Sequence, residues 1–352
     1  MGAFNESVRI LRNQLQGGTF ALDSTIIKTR PDFPGCGKTK RKKEGRSGDR
    51  PEDYDYIHGF KLFVLYEVKS RIIIAMYIVP ANESDSKYLL LMVKQGVKNC
   101  GKGRIQVVIA DRGFLDGSQL WALKHKMKID FIIPAKAGMI IWEDAIGLRK
   151  EYGNKPLAEW KYGKGKCQGY GVDGLRSYFE YNPENVKDNK KTDGSALNAV
   201  VVTTWRGKEI SQDKQKVILT SLPAEEDAAS IVKEYRLRSL IENSGFRELK
   251  QATYLNKLPR RKGKNVESAA YMHIMLCVFA HTLFYAFLGW RKNAAPQQAD
   301  GDCLREWRRR ESIKEDNKIL IVAEEKYYAL FEISELLSIL GVKQKYRIKI
   351  NC

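Results

Sequence analysis

The sequence predicts an α/β protein: a mixed sheet flanked by helices, with a β-rich insertion ahead of the helix that carries the last of three distant acids. Three observations carry that expectation. Strand-like runs at 21–29, 58–66 and 71–79 come first, the last two joined by a short polar link in a hairpin pattern. A buried run at 104–110 then enters Asp111 between two helical patterns. A glycine-rich, aromatic stretch at 135–222 separates these from a helix over 235–250.

Taken in order, 21–29 (ALDSTIIKT) is short and β-rich, and the Gly/Pro/Lys-rich residues after it, 30–54, read as a long loop. The hairpin follows, giving three antiparallel strands. Residues 82–98 have Ser/Asp capping signals and an apolar stripe of Tyr88, Leu89, Met92, Val93 and Val97, which marks a helix crossing the sheet. The run 104–110 is a buried strand; Gly113 turns the chain into a helix at 117–127, and 130–134 supplies a fifth strand. Within 135–222, strand-like pieces at 199–205 and 217–220 and many aromatics exclude a disordered linker.

The next helix has a start signal in Ser221 as cap, Pro223 for the first turn and the acids that follow. Along it Tyr235, Arg238 and Glu242 stand at i, i+3 and i+7, on one side of a helix. The plainer reading of that face is an i,i+4 ion pair on a solvated helix. Residues 269–290 are long enough to cross a bilayer, but His273 and His281 favour a helix buried on all sides in a large core.

The order βββαβαβ, insertion, α resembles an RNase H-like core interrupted before its last helix. The expected organisation is an N-terminal remnant at 1–20, a first part of the core at 21–134, the insertion at 135–222, the second part of the core at 223–290 and a basic C-terminal region at 291–352. In that arrangement Asp23 on the first strand, Asp111 at the end of the fourth and Glu242 on the helix converge.

Of 352 residues, 61 are Lys or Arg and 42 are Asp or Glu, a net charge of +19 spread along the chain. Basic runs at 38–43, 161–166, 187–191, 260–264 and 305–310, several with Tyr or Trp nearby, favour contact with phosphates and salt-dependent binding. The six cysteines form no CxxC pair and the four histidines lack metal-ligand spacing, which argues against a zinc site. Reduced thiols in a cytosol are the simple reading. Residues 32–39 (DFPGCGKT) end like a Walker A loop but lack its first glycine and a following helix, so a nucleotide cofactor is not expected.

Three converging carboxylates suit phosphoryl transfer by two hard divalent ions about 3.5 to 4 Å apart. Asp23 would bridge the ions, and Asp111 and Glu242 would each complete one shell. Taken singly, Asp23 also reads as a turn residue and Asp111 as a cap for the turn after its strand.

These residues carry a family resemblance. The chain resembles the DDE transposases of bacterial insertion sequences, in the branch with a β-strand insertion and a Tyr-x2-Arg-x3-Glu-x6-Lys signature. The matching pieces are Leu22-Asp23-Ser24-Thr25, His58-Gly59-Phe60-Lys61, Ala110-Asp111-Arg112-Gly113-Phe114, Leu219-Thr220-Ser221-Leu222-Pro223 and the stretch 235–250. The resemblance implies that Asp23, Asp111 and Glu242 are the catalytic, metal-binding triad, with two Mg²⁺ (or Mn²⁺) ions. It implies DNA contacts for Tyr235, Arg238, Lys250, Arg112 and Lys61, and base-stacking aromatics in the insertion, for which Trp142, Trp160 and Trp205 are candidates beside the alternative of core packing. The implied partners are transposon-end and target DNA and a second copy in a synaptic complex, with no membrane and a bacterial cytoplasmic, nucleoid-associated location.

Two departures stand out. The signature places Lys seven residues after Glu, where this chain has Leu249; Lys250 comes one later, and Gly245 between them is a candidate site for a restoring bulge. Only 22 residues precede Asp23, where relatives carry a longer end-recognising region, so a truncated or decayed element is an expectation too. An RNase H-like nuclease or resolvase, and a DNA-binding remnant without catalysis, are the competing functions.

Overall fold

The structure, a computed structural model, describes residues 2–43, 50–151, 158–162, 165–188, 192–205, 215–259, 263–294, 318–323 and 327–332. The chain divides into two compact units, Met1–Phe287 and Leu288–Cys352. In the first, α1 (Gly2–Ile10) leads to β1 (Gly18–Lys28), β2 (Gly37–Lys42), β3 (Tyr54–Glu67), β4 (Ile73–Pro80), α2 (Leu89–Cys100), β5 (Ile105–Ala110), α3 (Gly117–Trp121) and β6 (Asp130–Pro134). There follow α4 (Ile140–Glu151), β7 (Ala158–Tyr162), β8 (Gly165–Leu175), α5 (Pro183–Asp188), β9 (Leu197–Trp205), β10 (Gln215–Thr220), α6 (Ala228–Arg236), α7 (Arg247–Gln251) and α8 (Val266–Ala294).

The strands make one ten-stranded sheet in the order β2-β3-β1-β5-β6-β10-β9-β8-β7, with β4 also on β3. Only β1–β5 and β5–β6 are parallel. A parallel pair needs a crossover rather than a tight turn, and the helical segments after β4 and β5 supply them. β1 lies in the middle of the sheet and is buried on both faces over most of its length, as its near-continuous apolar sequence requires. α2 docks by the predicted stripe, with Leu89, Met92 and Val93 buried.

The mixed α/β fold expected from the sequence is present, and four local features differ. The presumed loop 30–54 contains β2, which pairs antiparallel with the first half of β3, from Gly37 opposite Gly59 to Lys42 opposite Tyr54. Its run of Lys38, Thr39, Lys40, Arg41 and Lys42 shows no apolar face, so nothing in composition announces a strand; it forms because β3 extends past β4 and offers an edge to pair. The insertion continues the core sheet, β10 pairing with β6 and β9, β8 and β7 adding outward, and it also holds α4 and α5.

Third, α6 starts at Ala228 with Asp227 as its cap, the Ser230 amide donating to the Asp227 carboxylate at 3.0 Å. The proposed cap, Ser221, instead donates to Asp130 (2.7 Å) and accepts from the Phe131 amide (3.2 Å), tying β10 to β6. Fourth, α8 is buried on one side only. Ala270, Ile274, Cys277, Val278, His281 and Thr282 face the sheet, while Met272, Leu276, Leu283 and Phe284 are exposed. By length and mean hydropathy (1.6 over Val266–Gly289) this helix is apolar enough to cross a membrane.

The second unit takes in the end of α8 from Leu288, and its other described residues form an antiparallel pair, β11 (Lys318–Ala323) with β12 (Tyr327–Glu332).

Candidate active site

Asp23 and Asp111 are brought level by strand register. Leu22 of β1 pairs with Ala110 of β5 in parallel, so the next residue on each strand is an aspartate. Asp23 is 8% exposed and accepts the Ser24 amide on Oδ1 at 2.7 Å. Asp111 begins a short 3-10 turn, Arg112–Phe114, yet its side chain caps nothing there, which removes the structural role weighed for it. Two carboxylates level with each other on central parallel strands, Asp23 midway along β1 and nearly buried, Asp111 just past the end of β5 and without a capping bond, are poor structural residues and suitable ligands.

The third acid arrives on an irregular helix. After α6 the chain tightens: the amides of Leu237, Arg238, Leu240 and Ile241 bond three residues back. It then widens into a π-turn, Ile241–Phe246, before α7. The spacing of buried side chains accounts for the π-turn. Ile241 and Phe246, five apart, both face the core, and i→i+5 winding brings such a pair to one side. The extra residue also corrects the angular offset of Lys250, because one added residue in the turn returns the eighth position after Glu242 to where an unbroken α-helix puts the seventh. Leu249 is accordingly fully buried and Lys250 half-buried on the outer side.

Arg238 joins the elements. Its Nη1 donates to Asp23 Oδ2 at 3.0 Å and to Glu242 Oε1 at 2.8 Å. The Arg238 guanidinium also lies 6.0 Å from the centre of the Tyr235 ring. Burial pushes the Asp23 carboxyl up to about 7; the Ser24 amide and Arg238 pull it down, and Glu242 and Asp111 push it further up. Burial works against the charge of Arg238, but Tyr235, Asp23 and Glu242 outweigh it and hold the guanidinium above its ordinary range. The Tyr235 phenol is raised, chiefly by burial, with Arg238 opposing and Asp111 and Asp23 adding to the rise. Asp23 thus feels Arg238, Glu242 and Asp111, and Tyr235 feels Arg238, Asp111 and Asp23.

The remaining sequence candidates divide. Arg112 is exposed beside Asp111. Lys250 lies close enough to Lys28, the last residue of β1, that burial and that like charge together lower its pKa. Lys61 is drawn away from solvent: its side chain is 12% exposed, and Nζ donates to Asp85 Oδ1 (3.0 Å) and to the Glu83 carbonyl (2.6 Å). Trp160 packs against the sheet at Gly169, with the Arg236 guanidinium 5.5 Å from its ring, and its indole nitrogen is buried. Trp142 on α4 is half-buried, and the Trp205 side chain lies outside the described residues.

Two groups escaped the sequence reading. Asp85 accepts from Lys61 and from the Ser24 hydroxyl (3.2 Å), and its Oδ2 lies where a Cβ on Gly113 would stand at 2.9 Å. It is thereby wedged between the residue after Asp23 and the turn after Asp111. On the other side, Glu248 of α7 accepts from Tyr285 Oη at 2.7 Å and stands 3.3 Å from His281 Nε2, both on α8, while Arg71 donates to Tyr285 at 3.3 Å. This network fastens the Glu242 segment to α8. The only sequence signal for Asp85 was its place among the capping residues 82–85, and the Glu248 network had none, because its members are spread from Arg71 to Tyr285.

The donor set is all carboxylate oxygen, the chemistry that Mg²⁺ and Mn²⁺ take. Asp23 and Glu242 already give one oxygen each to a single cationic nitrogen, and burial, with the neighbouring acids adding to it, holds Asp23 short of full ionisation. The residues thus fit a hard divalent cation in type. Among the described residues no three side chains are gathered at metal-ligand spacing, Arg238 standing between two of the acids.

No curated protein matches the chain significantly. Among solved structures, one similar chain is that of a piggyBac transposase synaptic complex with hairpin DNA, at 12% identity and a TM-score of 0.46, covering 82% of this chain and 51% of that one. This chain thus spans about half the length of that protein. Residues 15–279, from before β1 to within α8 and so across all three acids, match the model of the transposase DDE domain, and the chain belongs to that family.

Proposed function

We propose that this protein is a transposase that cleaves DNA at the ends of a mobile element and transfers the freed 3′-OH into target DNA, with Asp23, Asp111 and Glu242 as the catalytic acids. The observation that carries the reading is the sharing of Arg238 between Asp23 and Glu242, beside the register-matched Asp111. Asp23 and Glu242, from distant parts of the chain, have no structural reason to share one largely buried guanidinium, and family membership supplies the chemical context.

Asp23, Asp111 and Glu242 would hold two Mg²⁺ or Mn²⁺ ions, which supply activation of the attacking oxygen and stabilisation of the leaving oxygen. The protein's own part is positioning and charge. The sheet buries Asp23 and keeps bulk water from one side of the site. Arg238, with a planar fork of donors, suits a non-bridging pair of phosphate oxygens, and Tyr235 beside it offers a hydroxyl to the same phosphate. Lys250, Lys28 and the exposed Arg112 extend positive charge outward along the substrate. DNA ends held by two copies of the chain complete the proposed assembly.

The test is Mg²⁺-dependent nicking of a linear duplex carrying the inverted repeats that flank the reading frame, with branched and RNA–DNA hybrid substrates in parallel. Asp111→Asn and Glu242→Gln are expected to lose nicking while binding the duplex as the parent does. Metal-dependent cleavage retained by either variant overturns the assignment, and preference for branched or hybrid substrates redirects it to a resolvase or nuclease.

A further inference from the structure

We propose that the β2–β3 ribbon is a second DNA-contacting surface, a basic and aromatic strip that lies along duplex DNA leading away from the acid site. That the ligand is DNA rests on the functional reading above; that the strip binds a polyanion rests on its own geometry. Cross-strand register pairs Lys38 with His58 and Lys40 with Tyr56, and strand alternation puts these residues and Tyr54 on one face. On that face the Lys38 ammonium lies 4.3 Å from the Tyr56 ring centre and the Lys40 ammonium 4.7 Å from that of Tyr54. Lys38 and Lys40 are exposed, and Tyr56 is 55% exposed.

The opposite face is different in kind. Ile57 is buried and Thr39 half-buried, so it packs inward there, while the Arg41–Asp55 pair further out is exposed. The acids of the ribbon stay off the basic face: Asp53 is buried and accepts from the Arg50 amide at 3.1 Å, and Asp55 pairs in register with Arg41 and lies 3.9 Å from Lys43. A strand pair with cations and rings segregated on its solvent face, and its acids neutralised elsewhere, is complementary to a phosphate backbone.

The ribbon is also aimed. Val64 lies opposite Asp23, and the register from Tyr54 to Val64 runs without a shift, so Tyr54, Tyr56, His58 and Val64 fall on the face that Asp23 shares. Tyr56 is eight residues along β3 from Val64. That is roughly 27 Å of strand, a distance spanned by about eight phosphates of one DNA strand.

The experiment is anisotropy of a fluorescein-labelled 40-base-pair duplex in EDTA, across a salt series, for the full chain and its Lys38→Gln/Lys40→Gln variant. Both lysines are exposed, and thermal melting checks that the variant folds as the parent does. Loss of two phosphate contacts lowers the slope of log K against log salt by about 2. Tyr56→Ala, which removes the ring but no charge, is expected to weaken binding with little change in slope. Unchanged affinity and slope in the double variant overturn the ribbon proposal and leave the catalytic reading untouched. A reduced slope in a protein that nicks no duplex supports the ribbon and removes the transposase reading, and tighter binding of an equal-length duplex RNA overturns DNA as the occupant.

Discussion

Nη1 of Arg238 lies 3.0 Å from Oδ2 of Asp23, joining groups 215 residues apart, and the same nitrogen reaches Glu242 at 2.8 Å. The guanidinium is thus both the counter-charge that lets two acids approach and a candidate phosphate ligand. Arg238→Ala is expected to lower nicking about 100- to 1000-fold, the usual effect of removing one positioned donor. Arg238→Lys restores charge without the fork and recovers only part of that loss. Single-turnover nicking at saturating Mg²⁺ measures both; equal rates in the parent and Arg238→Ala would exclude a role for this residue.

The raised pKa of Asp23, about 7 against an ordinary 3.8, makes stability depend on pH. Burial favours the protonated carboxyl in the folded chain, so its contribution is full below pH 4 and is lost as pH rises through 7. Metal-free protein is expected to melt progressively lower across that window. Asp23→Asn abolishes that part of the slope, and Arg238→Ala extends it above pH 7, since ionised Asp23 then lacks its counter-charge. Melting curves from pH 4 to 8 in EDTA decide; a slope unaltered in Asp23→Asn assigns the titration elsewhere. Mg²⁺ binding near pH 6.5 should release protons, read by calorimetry in buffers of different ionisation enthalpy.

What the sequence disclosed follows from how each feature is encoded. Buried strands such as 104–110 and the α2 stripe are periodic patterns of apolar residues, and they stand where the pattern puts them. Asp23 and Asp111 were legible as a pair because the core order βββαβαβ makes their strands neighbours. β2 was hidden, because an edge strand of basic residues with a single Thr is stabilised by backbone pairing with β3 and has no apolar face to reveal it. The retirement of Lys61 into an ion pair depends on Asp85, a contact between β3 and the turn before α2 that no local pattern encodes. α8 misled in the other direction: uniform apolar composition suggested full burial, whereas one stripe of it faces outward.

Asp85 is expected to act as a positioning residue. It holds the Lys61 ammonium and the Ser24 hydroxyl and abuts Gly113, so it sets the spacing of the strand segments that present Asp23 and Asp111. Asp85→Ala leaves a largely buried ammonium without its counter-charge, with only the Glu83 carbonyl to accept from it, and should cost about 2 to 3 kcal/mol. The Mg²⁺ concentration for half-maximal nicking should rise while DNA affinity in EDTA stays constant. Lys61→Met separates this role from direct DNA contact. A scaffold lysine leaves the salt slope of binding unchanged, and a slope lowered by about one would return Lys61 to the DNA surface.

The π-turn at Ile241–Phe246 makes the helix tolerate deletion and insertion unequally. Deleting the exposed Asn243 converts the turn to α-winding and leaves Leu249 in the core and Lys250 outside, so folding and nicking should survive. Inserting an alanine after Asn243 rotates the following residues by about 100°, turning Leu249 outward and Lys250 toward the core. That variant is expected to lose both stability and activity. Gly245 is not what permits the turn. A Cβ there would meet Ile241 and Tyr66 at 3.6 Å, ordinary contact, so Gly245→Ala should raise stability by about 0.5 to 1 kcal/mol through lost freedom in the unfolded chain. Denaturant melts of the three variants test the argument together: deletion and insertion equally harmful, or Gly245→Ala destabilising, would mean that this helix owes its irregular winding to something other than the five-residue spacing of Ile241 and Phe246.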